Sequence, residues 1–156
     1  FTGGRESSDE TNRKYMIVLT DGNNTYSTSS TPNETTYAAW GYGKHNRIEE
    51  GLTASDLAST PYVGVNLNTF EKKMNAHTVQ TCNNAKADGV TVFTIAFDVS
   101  NGSSVKSMLE ACAGSGIVKN KLVMSSGTFY FDVSTSGLQQ AMADIASQIS
   151  ELRIMR

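Results

Sequence analysis

Lys14-Tyr15-Met16-Ile17-Val18-Leu19-Thr20-Asp21-Gly22 sets five apolar residues in a row, Tyr15 to Leu19, and stops them at a turn signal. A short continuous apolar run closed by Asp-Gly predicts a strand buried on both faces, as in a parallel sheet. Such a strand needs parallel partners, each reached through a crossover, and the rest of the chain supplies candidates.

Toward the carboxyl end, residues 69–88 predict a helix. Asn68 can cap it, with Glu71 three residues on. Phe70, Met74, Thr78, Cys82 and Ala85 fall near one face, and Asp88-Gly89 ends it. Val90 to Phe97 predicts the second strand, ending at Asp98. A second helix is expected over 104–113, with Val105, Met108, Leu109 and Cys112 inward and Gly114 as the stop. Phe129-Tyr130-Phe131-Asp132-Val133 predicts the third strand. A last helix is expected from about Ser136, striped by Leu138, Met142, Ile145, Ile149 and Leu152. Strands alternating with helices predict an α/β fold, a parallel sheet with right-handed crossovers and flanking helices.

Two stretches stand outside this pattern. Residues 1–13 are polar, contain Gly3-Gly4 and read as a loop. Residues 23–66 form a long polar insertion that is Ser/Thr-rich near residue 30. It carries an aromatic cluster, Tyr37, Trp40 and Tyr42, separated by Gly41 and Gly43. One short helix is expected inside it, over Arg47 to Leu57, with Ile48, Leu52 and Leu57 on one side. The aromatic cluster has two readings: an adhesive patch, since such side chains suit interfaces, or a cover folded back over the domain.

The 156 residues fit one domain or a large part of one. The formal net charge of −2 offers no basic field, so nucleic acid and anionic lipid are not expected as partners. No apolar run approaches the ~20 residues that span a membrane, so any anchor is expected in a segment outside this sequence.

Three carboxylates fall where the three strands are expected to end: Asp21, Asp98 and Asp132. Ligands of open parallel sheets bind at the carboxyl ends of strands. Asp also favours these positions as a plain turn former or helix cap, and that reading stays open for Asp98 and Asp132. His45 and His77 are isolated and read as surface or half-buried side chains. Asn23, Asn33 and Asn101 begin Asn-x-Ser/Thr triplets, which would mean little if the source were bacterial.

The run from Lys14 to Gly22 resembles the fourth strand of von Willebrand factor A-type (VWA) domains, which ends in Thr-Asp-Gly. The resemblance implies a Rossmann-like VWA fold. It also implies that Asp21 belongs to a metal-ion-dependent adhesion site for a hard cation such as Mg²⁺. The other ligands in that family come from an Asp-x-Ser-x-Ser loop after the first strand and from a Thr in a second loop. The Asp-x-Ser-x-Ser loop is read as absent from the whole of residues 1–156, and Thr2 lies too close to the strand to be the expected Thr. Either the site is degenerate, or its other ligands and the first three strands lie upstream. The second alternative is preferred: residues 1–156 are expected to be the C-terminal part of one VWA-like domain, with no metal bound by this chain alone.

A narrower resemblance runs along nearly the whole chain, to TadG-like proteins of tight-adherence (Flp-type) pilus assembly. It rests on Tyr37-Ala38-Ala39-Trp40-Gly41-Tyr42-Gly43 with Arg47, on Thr81-Cys82-Asn83-Asn84-Ala85-Lys86, and on Val92 to Phe97. It continues through Leu109-Glu110-Ala111-Cys112-Ala113, Tyr130-Phe131-Asp132 and the ending Leu152-Arg153-Ile154. It implies a bacterial cell-envelope protein anchored in the inner membrane by a segment outside this sequence, with pilus assembly or surface components as partners.

The two cysteines bear on the compartment separately. If the strands follow in spatial order, right-handed crossovers put the helices at 69–88 and 104–113 side by side on one face. Cys82 and Cys112 then lie at similar heights, at the sheet end away from Asp21. They either bridge or remain two buried thiols, and an oxidising compartment favours the bridge. Two functions are expected to compete. The first is a non-enzymatic adhesion or assembly domain. The alternative is an Asp-dependent metal hydrolase or phosphotransfer domain built on Asp21 and Asp98. No P-loop, Gly-x-Ser-x-Gly or Cys-x-x-Cys motif is present.

Overall fold

The computed structural model describes residues 13–58, 69–113, 117–118, 121–122 and 129–154. The deciding run forms β1, Lys14–Thr20. After the insertion with its short helix α1 (Ala54–Ala58) come α2 (Thr69–Ala87), β2 (Val90–Phe97) and α3 (Ser104–Ala113). A two-residue pair, β3 (Ile117–Val118) and β4 (Lys121–Leu122), precedes β5 (Tyr130–Val133) and α4 (Leu138–Ile154). The antiparallel β3–β4 pair was not anticipated, because two-residue strands leave no periodicity to read.

β1, β2 and β5 form an open parallel sheet in the order β1-β2-β5. Lys14 pairs with Val90 and Thr20 with Ala96; Thr94 pairs with Tyr130 and Phe97 with Val133. The expected order and direction are both met. Thr94 N–H donates to the Phe129 carbonyl at 2.8 Å, so the ladder begins at the residue where the third strand was expected to start.

Two cores sandwich β2. On one face Ala96 packs with Ala76 and Val79 of α2 and with Val105, Met108 and Leu109 of α3. Lower on that face, Val92 packs with Cys82 and Cys112. On the other face Phe93 and Ile95 pack against Ile145 of α4, with Tyr15, Phe131, Val133, Leu138 and Ile149 around them. Each fully buried side chain of this size contributes about 1.5–3 kcal/mol of transfer free energy. Thr94, buried between them, donates its hydroxyl to the Leu109 carbonyl at 2.9 Å, so it carries no unsatisfied group inward.

Four expectations need correction. β1 is not buried on both faces: Ile17 is 43% and Leu19 44% exposed. They share the face of Phe93 and Ile95, where the α4 core centres on β2, and among the described residues β1 pairs only with β2. In α2 the buried residues are Lys73, Asn75, Ala76, Val79 and Cys82, while Phe70, Met74, Thr78 and Ala85 are half-buried. In α4, Ala141 is buried and Met142 is 41% exposed, so Leu138, Ala141, Ile145 and Ile149 make the seam. The helix expected over 47–57 is broken into a 3-10 turn, Arg47–Glu49, and α1. Thr53 caps α1: its N–H and hydroxyl both donate to Asp56 Oδ2 at 2.7 Å, and its hydroxyl accepts the Asp56 N–H. The expected cap Asn68, the stop Gly114, the loop at 1–12, the stretch 59–66 and the Leu152 side chain lie outside the described residues.

Candidate functional site

α2 leads into β2 and α3 leads out of it. The first turn of each therefore lies at the carboxyl end of the sheet, the end that carries Asp21, Asp98 and the end of β5. At that end the chain leaves β1 through a side-chain turn: the Thr20 hydroxyl donates to the Gly22 carbonyl at 3.0 Å and accepts the Gly22 N–H at 3.3 Å. Asp21 projects from this turn and is exposed. Asn24 then ties the loop down, donating to Asn75 Oδ1 at 2.8 Å. Ser103, just before α3, donates to Asn23 Oδ1 at 3.2 Å while its hydroxyl accepts the Val105 N–H.

The three expected carboxylates are not equivalent. Asp98 follows β2 in a left-handed conformation (φ 53°), its N–H donating to the Val133 carbonyl at 2.8 Å, so it has the turn role left open for it. Asp132 lies inside β5 and not after it, level with Ala96. Its Oδ2 accepts from Lys106 Nζ of α3 at 2.6 Å, and the same ammonium donates to Asn101 Oδ1 at 2.8 Å.

One motif was missed in reading the sequence. Asp132-Val133-Ser134-Thr135-Ser136 has the Asp-x-Ser-x-Ser spacing and joins β5 to α4. The Ser134 and Ser136 hydroxyls lie 3.4 Å apart. The expectation that residues 1–156 hold no Asp-x-Ser-x-Ser is therefore corrected, since the five residues are plain in the sequence. It does not complete a site on Asp21. β2 separates β5 from β1, which puts the two backbones roughly 10 Å apart, and the Lys106 cation already occupies Asp132. Asp21 brings one carboxylate, too few oxygen donors for Mg²⁺. Among the described residues no group of three or more His, Cys, Asp or Glu is placed to hold a metal ion. These residues therefore do not fit a magnesium centre by themselves.

The insertion packs against α2 instead of trailing in solvent. Lys73, His77 and Gln80 recur at helical spacing on α2 and form a polar face toward it. Lys73 Nζ donates to Asn46 Oδ1 at 2.6 Å and pairs with Glu49 Oε2 at 2.7 Å. His77 Nε2 donates to the Ile48 carbonyl at 2.7 Å, and Gln80 to the Gly51 carbonyl at 2.7 Å. The Lys73 hydrogen bond, then that of Asn46, holds the Glu49 carboxyl below its ordinary range. Ile48 is 1% exposed beneath these contacts. Tyr26 stacks on Phe70 at 5.1 Å, and Gly43 lies so close to Phe70 that a Cβ there would come within 2.7 Å of the ring. Helical spacing of apolar residues alone could not reveal this second face of α2.

The aromatic cluster is divided between a side chain folded back on the domain and one left in solvent. Trp40 folds back, stacked on His77 at 4.8 Å between ring centres. Tyr42 meets Tyr37 edge-on at 5.2 Å, and Tyr37 stays 75% exposed. The insertion thus contacts α2 from Phe70 to Gln80.

At the opposite end Cys82 and Cys112 form a disulfide, with Cα atoms 5.2 Å apart and both side chains buried. No helix among the described residues is long and apolar enough to cross a membrane. No family model, curated protein or solved structure matches the chain.

Proposed function

We propose that the chain is part of a VWA-type domain that binds a protein partner and performs no catalysis, serving adhesion or assembly in a bacterial cell envelope. The observation that carries this reading is an exposed Asp21 at the carboxyl end of the sheet, where the insertion begins. Exposed Asp21 sits there on a Thr-Asp-Gly turn beside an insertion clamped to α2, from which Tyr37 projects. An exposed aromatic side chain suits a binding surface, since Tyr is enriched where proteins meet. The resemblance to TadG-like proteins makes pilus assembly or surface components the proposed partners. The Cys82–Cys112 bridge suits the oxidising envelope. A metal enters this proposal only where ligands outside residues 1–156 join Asp21.

The hydrolase or phosphotransfer alternative has one observation in its favour, a lysine beside a carboxylate at the strand ends. That lysine, Lys106, serves Asp132 and not Asp21. Two assays on the intact protein separate the readings. Phosphatase and phosphoryl-transfer activity should be absent. In titration calorimetry with Mg²⁺, Asp21→Ala should abolish whatever binding the intact protein shows. Turnover that disappears with Asp21→Asn would replace the proposal with the catalytic alternative.

A further inference from the structure

Asn101-Gly102 is the one Asn-Gly step in the sequence, and it sits at an exposed turn between β2 and α3. Ser103 N–H donates to the Ser100 carbonyl at 3.3 Å, closing the turn with Asn101 and Gly102 at its two central positions. Gly102 has φ 76°, a conformation open to glycine at no steric cost, and its missing side chain leaves its backbone nitrogen unshielded. Its N–H donates to none of the described residues. The Asn101 side chain is not idle: its carbonyl oxygen Oδ1 accepts from the Lys106 ammonium at 2.8 Å. Lys106 is itself fixed by Asp132 at 2.6 Å, and its side chain is only 14% exposed.

We propose that Asn101 is a self-modifying site, at which the side-chain amide is lost as ammonia with Lys106 assisting. The Gly102 backbone nitrogen gives its proton to hydroxide and attacks Cγ of Asn101, forming an N–Cγ bond. The electron pair of the C=O bond moves to Oδ1, where the Lys106 ammonium meets the developing negative charge. A fixed cation at that position lowers the barrier in the way an oxyanion hole does. The pair returns, the Cγ–Nδ2 bond breaks, and nitrogen leaves with a proton from water as ammonia. The five-membered succinimide that remains is opened by water at either carbonyl, giving aspartate or isoaspartate at position 101. No oxidant or reductant is needed.

The product changes the electrostatics of the carboxyl end. A neutral amide becomes a carboxylate within reach of Lys106, so one ammonium is shared by two carboxylates in place of one. The formal net charge falls by one from its value of −2. The Lys106–Asp132 tie between α3 and β5 is weakened, because the new carboxylate competes for the same cation. The inference rests on these contacts alone and is independent of the proposed partner-binding role.

The test is to age the purified protein in mildly alkaline buffer and follow position 101 by peptide mapping, an isoaspartyl methyltransferase assay and ion-exchange chromatography. The expected result is a more acidic species whose mass gain of one amide-to-acid exchange maps to Asn101, together with isoaspartate at that residue. Asn101→Gln should abolish it. Lys106→Met, which keeps the aliphatic stem and removes the charge, should slow it several-fold. Unchanged Trp40 emission would show that this variant keeps its fold. An Asn101 that stays intact through ageing would overturn the proposal. Conversion in Lys106→Met at the wild-type rate or faster would remove Lys106 from the step.

Discussion

Single residues decide whether the insertion stays on α2. A Cβ at Gly43 would meet both the Phe70 ring and Thr35 Cγ2 at 2.7 Å. Gly43→Ala is therefore expected to cost about 1–3 kcal/mol in chemical denaturation, the usual range for overpacking. It should also move the emission of Trp40, the sole tryptophan, toward that of a solvated indole. The Lys73–Glu49 contact makes the same clamp acid-sensitive. The folded-state pKa of Glu49 lies below its unfolded value, so its contribution is present above the ordinary carboxylate range and is lost as pH falls through the folded value. Trp40 emission should shift on acidification, and Glu49→Gln should flatten that shift. Tyr130 titrates with the opposite sign. Burial first, then Asp132 and Glu110, push its phenol up to about 12 from 10.0, and its hydroxyl has no hydrogen-bond partner among the described residues. Stability is then full below the unfolded value and declines as pH rises toward the folded one. Tyr130→Phe should be neutral or slightly stabilising in neutral buffer and should lessen the alkaline loss, as read from denaturation midpoints at both pH values.

At the scale of elements, β1 and α2 show what a sequence pattern can and cannot carry. The run Tyr15 to Leu19 marked a strand correctly, because five apolar residues before a turn leave few alternatives. It could not tell how each face is covered, since that depends on where α4 settles. Leu138, Ala141, Ile145 and Ile149 lay α4 over Phe93 and Ile95, and Ile17 and Leu19 remain half-open. α3 was fully legible because all four residues expected inward are buried against one neighbouring surface. α2 was not, because it serves two surfaces, an apolar one at Ala76, Val79 and Cys82 and a polar one at Lys73, His77 and Gln80. The state of β1 has a measurable consequence. An edge strand with apolar side chains recruits other strands. Residues 1–156 should associate with rising concentration in analytical ultracentrifugation, and Ile17→Lys should suppress this. A wild-type chain that stays monomeric at every concentration would mean that its edge is already protected.

For the whole molecule, the parallel order of the sheet places the two cysteines at one end and Asp21 at the other. The bridge closes a loop across a sequence separation of 30 residues. Loop entropy predicts that Cys82→Ala with Cys112→Ala lowers the unfolding free energy by roughly 3–4 kcal/mol. This layout was readable from the alternation of strands and helices, which fixes which ends meet. The inequality of Asp21, Asp98 and Asp132 was not readable, because it depends on one long side chain, Lys106, reaching across from α3. Nor was the clamped insertion, whose anchors are polar contacts between residues far apart in the chain. The central claim is that the carboxyl end of the sheet meets a protein partner. Its most direct test is photo-cross-linking in the intact protein within its own cells, with the reactive side chain placed in turn at Tyr37 and at exposed Asn83 near the disulfide end. The account predicts a discrete protein adduct from position 37, lost when Asp21→Ala is combined with it, and none from position 83. Adducts from position 83 alone, or from neither position, would contradict it.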